Sequence, residues 1–189
     1  MRVSMREIGG TEILAGAVGG KSALAKLVAT TNREPKQPEP YFLDFADIEV
    51  ATVSFLRESV MAFRDHVRGR RSKYYPVIAN VNETVEDELN ELVRARGDVL
   101  ASCKLDQSGG VTELVHIGEL EPKQQLTFDL VQNIGETDAG ELMRSHGQNE
   151  GVTHATAWNN RLAALVARGL LVEVSQGRTK RYRPLLGGI

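Results

Sequence analysis

The chain has 189 residues, enough for one large domain or two small ones, and 41% are hydrophobic, so each small domain can bury a core. A formal net charge of −2 excludes a protein that binds polyanions over its whole surface. No apolar run reaches the roughly 18 residues of a membrane span. Glu7 and Glu12 interrupt the amino-terminal segment, so a signal peptide is not expected. The single cysteine, Cys103, fits a reducing, cytoplasmic setting.

The charges are unevenly distributed along the chain. Residues 1–122 carry 15 Lys and Arg against 19 Asp and Glu, whereas residues 123–189 carry 8 against 6. The net charge of the whole chain therefore hides an acidic first part and a basic second part. A linker is predicted between them at 118–125, GELEPKQQ, where Gly and Pro stand among polar residues.

The first part of the chain alternates short apolar strands with helices. Strands are predicted at 3–8, 41–50, 74–81, 98–105 and 111–118, and helices at 21–30, 53–67 and 82–97. The last helix has the clearest ends, because Asn82 can cap its amino terminus and Gly97 stops it. The alternation predicts an α/β domain, residues 1–120, with a largely parallel sheet.

The segment 41–63, YFLDFADIEVATVSFLRESVMAF, has an ordered set of features. An apolar strand ends in Asp44-Phe45, an acidic turn follows, and hydroxyl residues and Phe55 then open a helix. This order resembles the STAS-like domains, which are related to anti-sigma-factor antagonists, over about residues 5–105. The resemblance implies a small sheet with packed helices that recognises a protein partner or forms a homodimer.

The same resemblance makes Thr52 and Ser54 candidate phosphorylation sites. In partner-switching members of the family, a Ser at the start of this helix is phosphorylated and kinase binding is lost. A helix amino terminus stabilises an added dianion, while new charge at a contact surface disrupts docking. The chain has ATVSF in place of the Asp-Ser-Ser/Thr-Gly pattern of those members, and plain helix capping by these hydroxyls is the alternative.

A second alternative for the first domain concerns residues 15–22, AGAVGGKS. They are close to a glycine-rich phosphate loop, in which Lys21 and Ser22 would contact a nucleotide. However, Ala15 replaces the first glycine of the stricter pattern, and a Gly-Gly turn before a helix explains the same residues. We therefore expect a protein that is not an enzyme and has no cofactor, with a phosphate loop as the alternative.

The other chemically active residue types form no recognisable site. The four histidines are scattered without the spacing of metal ligands, and the acidic residues at 83–91 occupy turns of a helix. Cys103 lies in an apolar strand without an activating base nearby in sequence. No catalytic residue and no metal site are predicted.

After the linker, the pattern changes to three helices and a two-stranded ribbon. The helices are predicted at 125–134, at 137–147 with Thr137 as its cap, and at 153–168. The hairpin strands are predicted at 170–174 and 180–185. At about 100° per residue, Trp158 lies on the core face of the third helix, with Leu162 and Leu165. Thr153, Thr156 and Asn160 fall on the opposite face.

The run AWNNRL at 157–162, GLL at 169–171 and GRTKRYRPL at 177–185 together resemble a winged helix-turn-helix domain, residues 124–189. The fold class is then α/β followed by a carboxy-terminal α+β winged helix. The resemblance implies binding of duplex DNA, because the major groove admits a helix whose short polar side chains read base edges. The candidate base contacts are Thr153, Thr156 and Asn160, and His154 and Arg161 lie beside them. The candidate phosphate contacts are on the wing, where basic side chains neutralise phosphate charge: Arg178, Lys180, Arg181 and Arg183.

The sequence therefore predicts a cytoplasmic DNA-binding regulator with no membrane association. The first domain is expected to recognise a protein partner or a second copy of the chain. The alternative from another class is a protein–protein adaptor without a nucleic-acid role, since a fold does not fix a function.

Overall fold

A computed structural model describes residues 1–176 and 179–186 of the chain. The chain divides into two compact units, Met1–Glu119 and Leu120–Ile189. Helices and strands are mixed, and the α/β fold class expected from the sequence is confirmed. Arg178, a predicted wing contact, lies outside the described residues.

The first unit contains a sheet, a small strand pair and the helices that connect them. Its elements are β1 (Arg2–Ser4), α1 (Met5–Gly9), β2 (Ile13–Leu14), α2 (Ala17–Thr30), β3 (Glu39–Asp44), β4 (Val50–Ala51), α3 (Val53–Leu56), a π-helical turn (Arg57–Met61), α4 (Ala62–Gly69), β5 (Tyr74–Ala79), α5 (Glu83–Arg96), β6 (Leu100–Leu105) and β7 (Val111–Ile117). The helix predicted at 53–67 is thus a helical run with a π-helical turn in its middle.

The main sheet has the strand order β1-β3-β5-β6-β7. Its first four strands are parallel, and β7 returns antiparallel to β6. Successive parallel strands step in one direction across the sheet, and right-handed crossovers therefore place the connecting helices on one face. The core lies there, where Leu43 and Ile78 of the strands meet Leu27, Val60 and Leu89 of the helices.

Two predicted strands are shorter than the sequence suggests. The strand expected at 3–8 gives way to α1 after Ser4, whose hydroxyl caps that helix. The strand expected at 41–50 stops at Asp44, because its carboxylate accepts the backbone amide of Ala46 at 3.1 Å and turns the chain. After the turn the chain forms β4, which pairs in parallel with β2 outside the main sheet.

Helix α5 has the two ends that the sequence predicts. The side chain of Asn82 accepts a hydrogen bond from the amide of Val85 at 2.9 Å. Gly97 ends the helix with a φ of 59°, in the left-handed region that glycine adopts without a Cβ penalty. Local signals were sufficient here, because both caps lie within one turn of the helix they close.

A buried arginine connects α4 to the start of β6. The Arg64 side chain is 7% exposed and donates to Asp98, to Oδ1 of Asp65 at 2.8 Å and to the carbonyl of Val99 at 3.2 Å. Arg96 donates to the other oxygen of Asp65 at 2.7 Å. Burial acts to raise the pKa of Asp98, but the hydrogen bond and charge of Arg64 outweigh it and hold that pKa below its ordinary value.

The second unit has three helices and a two-stranded sheet. Its elements are α6 (Pro122–Ile134), α7 (Ala139–His146), α8 (Ala155–Ala167), β8 (Leu171–Gln176) and β9 (Thr179–Pro184). The strands β8 and β9 are antiparallel, and a single bridge from Thr137 to Tyr182 extends their sheet. Helix α6 begins within the segment predicted as a linker, because Pro122 suits the first turn of a helix.

Thr137 is not the cap of α7, contrary to the sequence-based prediction. Asp138 is the cap, and it forms a capping box with Glu141: each residue's carboxylate accepts the other's backbone amide, at 2.9 and 3.1 Å. Thr137 is buried and its backbone is bonded to Tyr182 in both directions. Pairing with β9 keeps Thr137 just outside the helix.

Within residues 1–176 and 179–186, no helix combines the length and apolarity needed to cross a membrane.

Candidate nucleic-acid interface

Helix α8 separates a buried face from an exposed one, as its sequence predicts. Trp158, Leu162 and Leu165 are fully buried. Thr156 and Asn160 are exposed on the opposite side. Because the buried residues recur at spacings of three and four, they hold the helix by one face and leave the polar face accessible.

The exposed side of α8 forms a continuous stripe, which we call the α8 stripe. It consists of Thr153 and His154 before the helix and Thr156, Asn159, Asn160, Ala163 and Ala167 along it. The sequence interpretation missed Asn159 and Ala163, although both stand three residues from a predicted member. None of the stripe residues is acidic or permanently cationic.

Arg161 does not flank this surface, contrary to the sequence-based expectation. Its guanidinium carbon lies 4.8 Å from the ring centroid of Trp158, and its side chain is only 11% exposed. Nη1 also lies 3.8 Å from Oε2 of Glu150. Residues three apart on a helix are neighbours, so Arg161 packs over the ring of Trp158 and stabilises α8 through this contact.

Arg181 is likewise committed to the protein rather than to a ligand. Its guanidinium contacts three carboxylates around the start of α7: Glu136 at 3.1 Å, Asp138 at 3.3 Å and Glu141 at 2.8 Å. Hydrogen bonds from Arg181 and from Thr137 hold the pKa of Glu141 below its ordinary value. Arg181 therefore joins β9 to the start of α7, and its predicted contact with DNA stays a prediction.

The other described basic residues of the second unit differ in exposure. The Lys180 side chain is 61% exposed, and its ammonium lies 3.0 Å from Glu173 on the neighbouring strand. Arg183 is half-buried, opposite Val172 in the sheet register. Arg144, in the last turn of α7, is exposed and was not singled out from the sequence. Its position just before the turn into α8 is the sequence feature that could have identified it as a candidate contact.

The residues resembling a phosphate loop lie inside a helix. Helix α2 begins at Ala17, so Lys21 and Ser22 are exposed in its second turn. A phosphate loop needs free backbone amides before the helix, whereas the Gly20 amide donates to the carbonyl of Gly16 at 3.1 Å. The alternative of a phosphate loop is therefore not supported by the geometry.

Close packing explains why a glycine occupies position 20 of the Gly19-Gly20 pair. A Cβ on Gly20 would lie 2.7 Å from the carbonyl oxygen of Phe55 and 2.9 Å from Cβ of Glu58. Real Cβ atoms do not approach that closely, so α2 meets the following helical run across a bare backbone. A Cβ on Gly19 would lie at an ordinary 3.5 Å from the Phe55 ring.

This pair of glycines gives a matched stability prediction. Gly20→Ala should lower the free energy of unfolding by about 1–3 kcal/mol, because overpacking forces the backbone apart. Gly19→Ala is the control and should be neutral or stabilising, since alanine is the better helix former by about 1 kcal/mol. Urea unfolding followed by circular dichroism measures both, and equal midpoints for the two variants would contradict the packing argument.

Thr52 caps α3, as the capping alternative predicts. Its hydroxyl oxygen accepts the amides of Phe55 at 3.4 Å and Gly16 at 3.2 Å, and lies 3.1 Å from the hydroxyl of Ser54. The carboxylate of Glu88 accepts the next amide, that of Val53, at 3.0 Å. A negative group already occupies this helix terminus, and phosphorylation of Thr52 or Ser54 stays a prediction.

Cys103 of the first unit is buried. Burial, followed by the nearby charge of Asp44, raises the pKa of the Cys103 thiol to about 11, so the thiol stays protonated. Among the residues that the structure describes, no three His, Cys, Asp or Glu side chains are grouped to hold a metal ion.

Exposed apolar side chains cluster around the small strand pair of the first unit. Ile13 and Val50 are direct cross-strand partners and are 52% and 37% exposed. Val18, in the first turn of α2 just after β2, is 84% exposed. We call these three residues the β2–β4 patch.

Known proteins give no further guide to these surfaces. Comparison of the chain with protein-family models, curated proteins and solved structures returned no match. The resemblances to STAS-like and winged helix-turn-helix domains stay predictions, and the function of the chain is inferred from its own geometry.

Proposed function

We propose that the second unit binds duplex DNA with α8 in the major groove, and that the first unit regulates this binding through a protein partner. The observation that carries the proposal is the α8 stripe, which is polar, free of acidic residues and held outward by a buried tryptophan. Base edges are read by side chains of this kind.

The dimensions of α8 suit the groove. An α-helix with its side chains is about 10–12 Å in diameter, and the major groove is about 12 Å wide. The 13 residues of α8 give about 20 Å of helix to lie along it. An acidic side chain on the stripe would face phosphate at close range, and the stripe has none. Two acidic residues near the helix and wing, Glu150 and Glu173, each lie beside a cation of the protein.

Phosphate contacts fall to cations that differ from the predicted set. Lys180, Arg183 and Arg144 supply them in the proposal, whereas Arg161 and Arg181 hold the fold. Each neutralised phosphate adds about 0.9 to the slope of log affinity against log salt, so three contacts give a slope near −3. Three phosphate contacts contribute only a modest affinity for DNA. The proposal therefore favours a dimer, or a monomer whose binding is regulated.

The β2–β4 patch supports a protein partner for the first unit. Asp47 and Glu49, both exposed, flank the apolar pair Ile13 and Val50. A partner with an apolar centre and a basic rim complements this surface. The same patch favours the second candidate function, an adaptor that binds proteins alone.

DNA binding is tested with the full chain by fluorescence anisotropy on duplex DNA at rising salt. The double variant Lys180→Ala, Arg183→Ala should weaken binding and reduce the salt slope by about 2. Lys21→Ala removes an exposed positive charge from the first unit and is the control; its slope should match the wild type. No binding to any duplex at low salt, or an equal loss in the control, would overturn the proposal and leave the adaptor function.

A further inference from the structure

We propose that α8 selects A·T base pairs, reading adenine through Asn160 and the thymine methyl group through Thr156 and Ala163. This inference rests on the proposed DNA binding and specifies its target. It follows from the chemical groups that the α8 stripe exposes for contact with base edges and from those that the stripe lacks.

The stripe lacks the groups that read G·C pairs most strongly. Guanine shows two acceptors in the major groove and is commonly read by Arg or Lys, whereas the cytosine amine is read by Asp or Glu. The only charged residue of α8 is Arg161. Its side chain is 11% exposed and packed over Trp158, so it is withheld from the groove.

The stripe does present the group that reads adenine. An asparagine amide donates to N7 and accepts from the N6 amine of adenine in a bidentate pair. Asn160 is exposed in the second turn of α8. Within the part of the chain that the structure describes, no hydrogen bond joins the side-chain amide of Asn160 to another residue. Its Oδ1 and Nδ2 atoms are therefore both available.

Methyl groups stand on either side of that amide along the helix. Thr156 precedes Asn160 by four residues and Ala163 follows it by three, so the three side chains share one side of α8. From Thr156 to Ala163 the helix rises roughly 10 Å, about three base-pair steps of about 3.4 Å. Apolar side chains at this position contact the C5-methyl group of thymine. The geometry therefore fits a short A·T-rich core.

The experiment begins with selection of binding sequences from a random duplex library by the full chain. We expect an A·T-rich core of about three base pairs. Replacing one A·T pair of that core by G·C should weaken binding about tenfold. Asn160→Ala should remove this preference, while Asn32→Ala, an exposed asparagine of the first unit, should keep it.

Modified bases test the contacts atom by atom on the unaltered protein. Substituting 7-deazaadenine removes the N7 acceptor and should weaken the wild type but not Asn160→Ala. Substituting uracil removes the thymine methyl group and should weaken the wild type more than Ala163→Gly, in which Thr156 is the remaining methyl contact. Binding that depends on Lys180 and Arg183 yet shows a G·C-rich or no preference would overturn this inference while DNA binding stands. Absence of any duplex binding would overturn both.

Discussion

Trp158→Ala is expected to lower the free energy of unfolding of the second unit by about 3–5 kcal/mol. The indole is fully buried in the core that holds α8, and it carries the guanidinium of Arg161 on its face. Native domains are stable by only about 5–15 kcal/mol, so the loss removes much of the stability of this unit. DNA binding should then fail because α8 is no longer held.

Urea unfolding followed by circular dichroism measures this loss. Thr156→Ala, on the exposed side of the same helix, is the control and should stay within about 0.5 kcal/mol of the wild type. Trp158→Phe should cost less than Trp158→Ala, since it keeps most of the buried ring and removes an indole N–H that finds no acceptor among the described residues. An unchanged midpoint for Trp158→Ala would refute the role given to the indole.

Arg64→Ala should destabilise the first unit by about 3–5 kcal/mol, because it leaves the half-buried carboxylate of Asp98 without its main partner. That carboxylate is 14% exposed, and Nε of Arg96 lies 3.9 Å from it, too far for a hydrogen bond of the kind Arg64 donates. Removing both charges together, as Arg64→Met with Asp98→Asn, should recover part of the loss. A double variant less stable than Arg64→Ala would contradict this.

Acid should reveal the same pair in the unaltered chain. The pKa of Asp98 in the folded state is below its ordinary value of 3.8, so its contribution to stability is complete well above that value. The contribution disappears as the pH falls through the lowered pKa, where the folded carboxylate finally takes up a proton. Asp98→Asn should therefore show a weaker loss of stability in acid than the wild type does.

The sequence predicts those elements whose signals lie within a few residues. The caps of α5 at Asn82 and Gly97, and the inward face of α8 around Trp158, were predicted correctly because each depends on local spacing. The break after Asp44 was missed, since the apolar run continues through a turn that a single carboxylate bond creates.

The sites that the sequence misjudged depend on partners distant along the chain. Arg181 looked unopposed because the tip and return strand of its hairpin have no acidic residue, yet Glu136 lies 45 positions earlier and contacts Arg181 in the fold. Gly20 looked like part of a phosphate loop because the sequence does not show its close contact with Phe55. That contact joins helices that are distant along the chain. Sequence spacing shows which residues share a helix face, but it does not show which segment covers that face.

The burial of Cys103 gives the first unit a natural label. It is the only sulfhydryl of the chain and belongs to β6, paired with Ala79 of the neighbouring strand. A reagent can reach its sulfur only when that strand detaches, so alkylation in native buffer reports how often the sheet breathes. The only indole lies in the other unit, and the melting of each half can therefore be followed without adding a dye or a tag.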